Sequence, residues 1–358
     1  MRIIHVAPRY HPHIGGVEYV VKSVAERLVK MGHTVTVIAG EPSIGKLREE
    51  EINGVEVIRW PTWSPGDSYH IPRQRNKLRE FLTDLVKDAD VVHVHNVHAI
   101  FSMYALEIVK NTSVRIVMTP YYHGTGHTVA RRILWSYWRS YIRRLLNAVD
   151  VVHTVSRLEA NLVKRDFAHD AIVIENGVEE DIRNVEWKPE DYVMYSGRIE
   201  KYKNMHLLAE IVKALNEEYG LNLRLRVFGN GPYRGRLAKI LERMNIVFEI
   251  NDFMPFEEYV HALSHAIIFG LLSRMESYPQ SINEANAIGV PVIVAKPWGL
   301  NFEGRTRTLI IDTRWDLKII TEKVYELVKK APTEESSKVP TWTEVTNGYI
   351  NKLYAEKQ

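Results

Sequence analysis

The 358-residue sequence contains no cysteine. That absence excludes a disulfide framework, thiolate zinc ligation and a cysteine nucleophile, and it suits a reducing interior. Long hydrophobic runs are missing too. No segment approaches the roughly 18 apolar residues of a spanning helix, and the opening Met1-Arg-Ile-Ile-His-Val-Ala-Pro8 is too short in apolar residues for a signal peptide. A cytoplasmic chain is expected, with peripheral contact at the inner face of a membrane left open. Nor is there a surplus of one charge: 47 Lys and Arg stand against 44 Asp and Glu, a formal net charge of +3. No global basic field calls for nucleic acid as a partner.

What is present is 45% hydrophobic and 25% charged residues over a length beyond the usual single domain, ordinary for a soluble protein with two cores. Short β-branched runs (Ile3–Ala7, Thr34–Ala39, Val55–Trp60, Val91–His95, Val114–Thr119, Val151–Val155, Ile172–Glu175) alternate with stretches of helical spacing such as Gly16–Met31 and Ala99–Lys110. Nearly continuous apolar strands separated by helices predict a parallel sheet covered on both faces. The pattern restarts at Tyr192–Ser196 and continues through Arg224–Phe228, Ile246–Ile250, Ala266–Gly270, Val290–Ala295 and Thr308–Ile311, with Trp187-Lys188-Pro189 reading as the linker. The expectation is an α/β chain of two Rossmann-like domains, 1–185 and 186–340, followed by a terminal helix, 341–358, free to pack back on either.

The most informative stretch runs from Ser273 to Val294 and includes Glu276, Pro279, Glu284, Gly289 and Pro291. Lying between two apolar strands, it is a strand–loop–helix–strand unit, with Pro279 suited to a first helical turn. Glu276 falls in the loop and Glu284 about 6–8 Å along the helix axis. Between them lie the unpaired N–H groups and positive end of the helix, an anion site for a diphosphate. One carboxylate can then accept bonds from sugar hydroxyls while the other grips a ribose, although two glutamates at an ordinary helix start would look the same.

Three further segments carry chemistry. Gly197-Arg198-Ile-Glu-Lys201-Tyr-Lys203-Asn204 sets cations at a strand end, where they can meet charge developing on a departing diphosphate. Gly15-Gly16 joins the first strand to its helix and allows close backbone approach. It is not the G-x-G-x-x-G of dinucleotide oxidoreductases. His123 and His127 lie in the glycine-flanked loop Met118–His127. Apart from these three, Gly229 and Gly231 follow another strand in Phe228-Gly-Asn-Gly-Pro232.

Glu276-x7-Glu284 followed by Ala-Ile-Gly-Val-Pro-Val resembles the signature of retaining GT-B glycosyltransferases of the family 4 type. In order and spacing the other segments, together with Val155-Ser156 and Glu175-Asn-Gly177-Val, are similar to that family over about residues 2–295. The resemblance implies two Rossmann-like domains facing a central cleft. It gives Glu276 the donor sugar, Glu284 the ribose hydroxyls, and the backbone at Ser281 and Ile282 the phosphates. It makes Arg198 and Lys203 a pyrophosphate clamp, places His123, in preference to His127, near the donor sugar, sets Gly15 and Gly16 beside donor phosphate and acceptor, and puts Gly229 and Gly231 near the base. The donor implied is a UDP- or GDP-type sugar, the acceptor a hydroxyl on a glycan, lipid or small molecule, and no essential metal is expected. Departures are Ser277-Tyr278 where Gly-Phe is usual, Asp252 where glycine is usual, and a short segment after Pro297.

Three features stand apart. Asp88-Ala-Asp90 resembles a metal-binding D-x-D but sits at a helix end, where capping explains it. His93, His95 and His98 invite a metal reading without a nearby carboxylate or cysteine. The basic, aromatic helix 131–146 has Arg132, Arg139 and Arg143 on one stripe and Leu134, Trp138 and Tyr141 on the other. Such a helix either lies on anionic lipid or packs its apolar stripe inward. The other functional readings are a nucleotide-sugar epimerase of the same fold and a catalytically silent sugar-nucleotide or glycan-binding protein.

Overall fold

The computed structural model describes residues 1–67, 69–124, 129–331 and 336–355, with the side chains of 67 and 129–134 also outside the description. The chain divides into two compact units, Met1–Asn176 with Trp342–Gln358, and Gly177–Thr341.

The first unit contains β1 (Arg2–Ala7), α1 (Gly16–Lys30), β2 (Thr34–Glu41), β3 (Arg48–Ile52), β4 (Val55–Trp63), β5 (Ile71–Pro72), α2 (Arg75–Leu85), β6 (Val91–His95), α3 (Ile100–Val109), β7 (Arg115–Thr119), α4 (Val129–Leu146), β8 (Val151–Thr154), α5 (Arg157–Phe167) and β9 (Ile172–Val173). Its sheet runs β3-β4-β2-β1-β6-β7-β8-β9, with β5 also on β4. From β4 to β9 every pairing is parallel. Alternation along β1 shows why the strands are apolar throughout: Ile4 and Val6 join a core with α2, α3, α4 and α5, while Ile3 and Ala7 join another with α1.

The second unit contains β10 (Glu190–Ser196), α6 (Met205–Tyr219), β11 (Arg224–Phe228), α7 (Arg234–Met244), β12 (Phe248–Asn251), α8 (Phe256–Ser264), β13 (Ala266–Leu271), α9 (Gln280–Ile288), β14 (Val292–Ala295), β15 (Thr308–Ile311) and α10 (Leu317–Lys330). Strand order is β12-β11-β10-β13-β14-β15, all parallel. This is the 3-2-1-4-5-6 order of a doubly wound sheet. The order reverses between β10 and β13, and in the first unit between β1 and β6, so the loops leaving those strands flank the ligand crevice that such folds create.

The division falls at 176/177 rather than 185/186. Val178 donates to Pro340 O at 2.9 Å and bridges Thr341, which ties the segment after Gly177 to the second unit. Trp187-Lys188-Pro189 is not a linker. The Trp187 indole donates to Ala266 O (2.8 Å) and Lys188 N to Ser264 O (2.9 Å), fixing the approach to β10.

The last helix, α11 (Trp342–Tyr349), with the turn Ile350–Tyr354, returns to the first unit. Trp342, Val345, Tyr349, Leu353 and Tyr354 are buried in the core shared with α1, and Arg115 Nε donates to Leu353 O at 2.8 Å. No described helix is long and apolar enough to cross a membrane. In α4, Trp135, Trp138, Tyr141, Ile142, Leu145 and Leu146 pack into the first unit's core. Most of the described apolar stripe thus faces inward, but Tyr137 is exposed, as are Arg143 and Arg144, and the side chain of Leu134 lies outside the description.

Candidate active site

In the second unit the two loops at the strand-order reversal are bound to each other. The loop after β10 turns through Lys201–Lys203 into α6, and Tyr202 O accepts from Arg274 N (3.0 Å) in the loop after β13. This places Lys203 Nζ 2.5 Å from Glu276 Oε1, with both side chains mostly buried. Two groups 73 positions apart in sequence thus form one ion pair because β10 and β13 are sheet neighbours. Arg198, on the same loop, is more open: its guanidinium meets Glu200 Oε1 at 3.0 Å and Tyr202 Oη at 3.4 Å. Burial opposes its charged form, but Tyr202 and Glu200, with a smaller contribution from Glu276, hold its pKa above the ordinary value.

Directly after Glu276, α9 begins at Gln280 with Pro279 as the residue before it, not within its first turn, and no side chain caps that start. Ser281 lies in the first turn and is partly exposed. The Ile282 amide reaches back to Pro279 O at a long 3.3 Å and its side chain is buried. The backbone donors and positive end of the helix thus begin four residues after Glu276, and a helix start of this kind favours an anion.

Glu284, one turn further along, is 5% exposed and accepts a 2.7 Å hydrogen bond from Tyr259 Oη of α8. Burial pushes its carboxyl up to about 7, against the Tyr259 hydroxyl, which favours the ionised form.

Two of the departures noted in the sequence, Tyr278 and Asp252, have defined partners. Arg305 donates to Asn283 Oδ1 (2.7 Å), Asn286 Oδ1 (3.1 Å) and Tyr278 Oη (2.8 Å), so the tyrosine at 278 is tied by its hydroxyl to the flank of α9. Asp252 accepts from Arg234 Nη1 (2.5 Å) and Asn230 Nδ2 (3.2 Å), bracing the Gly229–Gly231 loop. There the glycines are required by backbone packing. A Cβ at Gly229 (φ +144°) would lie 1.9 Å from Gly197 O, and one at Gly231 (φ +158°) 2.4 Å from Ile199 O. Gly197 N donates to Phe228 O (3.0 Å) and Ile199 N to Asn230 O (2.8 Å), so this loop and the Arg198 loop hold each other in place.

In the first unit, His123 follows β7, and its ring stacks on His98 (centroids 4.3 Å apart, planes 12°), which stacks on Trp135 (4.7 Å, 13°). His127 lies outside the described residues. The His123 loop is held by a residue that the sequence reading missed. Glu159 is 2% exposed and accepts from Tyr122 N (2.7 Å) and Val155 N (3.0 Å), and its own amide is capped by Ser156 Oγ (3.1 Å). Burial raises its carboxyl to about 7. Its signal was the capping-box spacing Ser156-x-x-Glu159. At the other loop, Gly15 precedes α1 in extended conformation, and a Cβ there would meet the Glu18 carboxylate at 2.3 Å. Gly16 has open space around it.

Among the described residues, one grouping has metal-ligand spacing: His5, His93 and His95, buried, with ligand nitrogens within 4.8 Å of one another. His5 Nδ1 and His95 Nε2 are 2.9 Å apart, and His93 lies between Tyr354 Oη (2.9 Å) and Thr119 Oγ1 (2.7 Å). Burial lowers His5 to about 3 and His153 beside them to about 4, so these rings are neutral. His98 is not part of the group. Asp88 and Asp90 anchor the start of β1 through Arg2, with Arg2 N donating to Asp90 Oδ2 at 2.7 Å and Arg2 Nη1 3.4 Å from Asp88 Oδ2.

Comparison with known proteins agrees with this architecture. The profile of Glycosyltransferase Family 4 matches residues 14–182, and that of Glycosyl transferases group 1 matches residues 178–303. A putative colanic acid biosynthesis glycosyltransferase WcaL of Escherichia coli K12 is 33% identical, but over only 27% of this chain and 25% of that protein. The GDP-mannose:cellobiosyl-diphosphopolyprenol alpha-mannosyltransferase of Xanthomonas oryzae pv. oryzae is 24% identical over 99% of this chain and 97% of its own length. Among solved structures, sucrose-phosphate synthase from Thermosynechococcus elongatus superimposes with TM-score 0.72 at 17% identity, covering 99% of this chain and 94% of that one. The two parallel doubly wound sheets are those of the GT-B class. The chain belongs to the glycosyltransferases of the family 4 type.

Proposed function

We propose that the chain is a retaining hexosyltransferase that moves a sugar from a nucleoside diphosphate donor to a hydroxyl acceptor without an essential metal. The observation carrying this reading is the Lys203–Glu276 ion pair at the uncapped start of α9. A diphosphate seated there meets backbone donors, a helix dipole and two cations, Lys203 and Arg198, which supply the charge stabilisation that a metal gives in other transferases. Glu276 accepts bonds from sugar hydroxyls and holds Lys203 in place before the donor arrives. Glu284 takes the ribose hydroxyls, and Gly229 and Gly231 bring their backbone against the base. His123 and the Gly15-Gly16 turn keep the roles that the family resemblance implies, toward donor sugar, phosphate and acceptor.

The donor named for the Xanthomonas relative makes GDP-mannose the first to try. The deciding experiment is a thermal-shift panel of GDP- and UDP-sugars and bare nucleotides, followed by NMR of the product's anomeric configuration with crude glycan and lipid acceptors, with and without EDTA. Retention, unaffected by EDTA, is expected. Inversion, an absolute metal requirement, or donor isomerisation in the absence of acceptor would overturn the reading.

A pH dependence follows from Glu284. Ribose hydroxyls bond more strongly to the ionised carboxylate than to its protonated form, so nucleotide affinity is expected to rise with pH through about 7. Tyr259→Phe removes the donor that favours ionisation and is expected to move the midpoint to higher pH. Titration calorimetry from pH 5.5 to 9 reads this directly; a midpoint that falls or stays fixed would contradict the assignment.

A further inference from the structure

The loop leading from β12 into α8 carries a carboxylate that is only half engaged. Asp252 Oδ1 accepts from Arg234 Nη1 (2.5 Å) and from Asn230 Nδ2 (3.2 Å). Among the described residues nothing donates to Oδ2, and the side chain is 70% exposed. An ionised carboxylate offers about four acceptor positions, so about two remain, both on Oδ2.

The carboxylate is also held in one orientation. Arg234 is fixed by a second bond, Nη2 to Ile250 O (3.0 Å), and Asn230 by its Oδ1, which accepts from Gly231 N (2.8 Å). Gly229 N donates to Asn251 O at 2.9 Å, fastening the loop after β11 to the end of β12. An exposed ion pair of this kind adds little stability. What the two donors on Oδ1 do is decide which oxygen is left over.

Beside it lies a stacking surface. Phe253 is 44% exposed, and its Cε1 is 3.5 Å from where a Cβ on Gly229 would stand. An aromatic ring next to bare backbone accepts the flat face of any base, so stacking there does not discriminate. Hydrogen bonds to the base edge do.

These groups lie toward the nucleoside end of a bound donor. Glu284 is bonded to Tyr259 Oη (2.7 Å), and Tyr259 stands in the first turn of α8 with its amide on Pro255 O (3.0 Å). With the ribose on Glu284 and the phosphates at the start of α9, the base extends toward the start of α8 and the 252–255 loop that feeds it. Guanine presents N1–H and N2–H2 side by side, two donors for an oxygen that can only accept. Uracil presents one N3–H between two carbonyl oxygens, which a carboxylate repels, and adenine alternates donor and acceptor.

We propose that Asp252 is a specificity-determining residue that selects a guanine nucleotide as donor, its Oδ2 accepting from guanine N1–H and N2–H2. This rests on the donor reading above, which does not itself choose the base.

The test is titration calorimetry of the full chain with GDP, UDP, ADP and inosine diphosphate, which lacks only the N2 amine of GDP. The wild type is expected to bind GDP about tenfold or more tightly than inosine diphosphate, the effect of one hydrogen bond to a charged acceptor, and UDP and ADP more weakly still. Asp252→Asn keeps the shape, and with Arg234 and Asn230 holding the amide oxygen it turns an NH2 toward the base. GDP affinity is then expected to fall about tenfold or more and UDP affinity to rise, since the new donor meets a uracil carbonyl. Asp252→Gly removes the group and is expected to level GDP and inosine diphosphate without favouring UDP. Glu284→Gln acts through the ribose, so it should weaken all four in proportion and keep their order. Wild-type protein that binds any of the other three as tightly as GDP, or a guanine preference that persists in both Asp252 variants, would overturn this assignment and leave the donor reading standing. Failure of all four nucleotides to bind would overturn the donor reading and this proposal with it.

Discussion

Lys203→Ala is expected to lower kcat by about 100- to 1,000-fold while changing the affinity for the bare nucleoside diphosphate far less, the size of effect seen when one preorganised charge-stabilising donor is removed. The ammonium is held by Glu276 at 2.5 Å in a mostly buried position. It is therefore oriented before any ligand binds, and little reorganisation is needed as charge builds on the leaving diphosphate. Such an interaction is stronger in the transition state than in the ground state, so its loss falls on kcat more than on binding. Steady-state kinetics on the identified donor and calorimetry with GDP or UDP separate the two quantities. A variant that loses binding and turnover in equal measure would make Lys203 a ground-state anchor only, and one that keeps wild-type kcat would remove it from the mechanism.

Glu284→Gln is expected to have two effects of opposite sign. Nucleotide affinity should fall by about tenfold to a hundredfold, because a charged acceptor for the ribose hydroxyls is replaced by a neutral amide. Stability at pH 8 should rise. The carboxyl's ordinary value is 4.5 and burial raises it to about 7 in the folded protein. Between those values the native state holds a proton that the unfolded chain has released, so this group's contribution to stability is full below about 4.5 and is lost as pH rises through 7. Glutamine mimics the neutral form, and the gain at pH 8 is about 3 kcal/mol at most. Melting curves at pH 5 and pH 8 provide the check: the variant should exceed the wild type at the higher pH only. Equal melting at both pH values would show that Glu284 ionises freely, and undiminished nucleotide affinity would show that it does not serve the ribose. A buried carboxylate that destabilises the fold yet serves the ligand is the usual trade at a functional site.

The fold was largely legible because its strands are covered on both sides. Ile3–Ala7 and Val91–His95 advertise themselves as apolar runs broken only by histidine, since neither face of a doubly wound sheet meets water. Strand β3 was not legible. Arg48-Glu-Glu-Glu-Ile52 carries four charges in five residues because it is an antiparallel edge strand, although its Asn53-Gly54 turn, with φ of +52° and +80°, is a hairpin signal in its own right. The destination of the terminal helix and the 176/177 division depend on contacts between distant residues, among them Trp342 packed against α1 and Val178 bonded to Pro340.

At the site, the residue types carrying charge were visible from motif and spacing, but their partners were not. Nothing local to Glu276 announces Lys203. The pairing follows only when β10 and β13 are known to be adjacent. Tyr259, Arg305 and Glu159 escaped for the same reason: each supports a motif residue from another element, and periodicity is silent about such company.

The central claim is that a nucleoside diphosphate sits at the start of α9, and a structure of the chain with GDP or UDP tests it most directly. The account predicts phosphate oxygens within about 3 Å of the Ser281 and Ile282 amides and of Lys203 Nζ, with the ribose hydroxyls on Glu284. A diphosphate bound away from that helix start, or a ribose turned from Glu284, would contradict it.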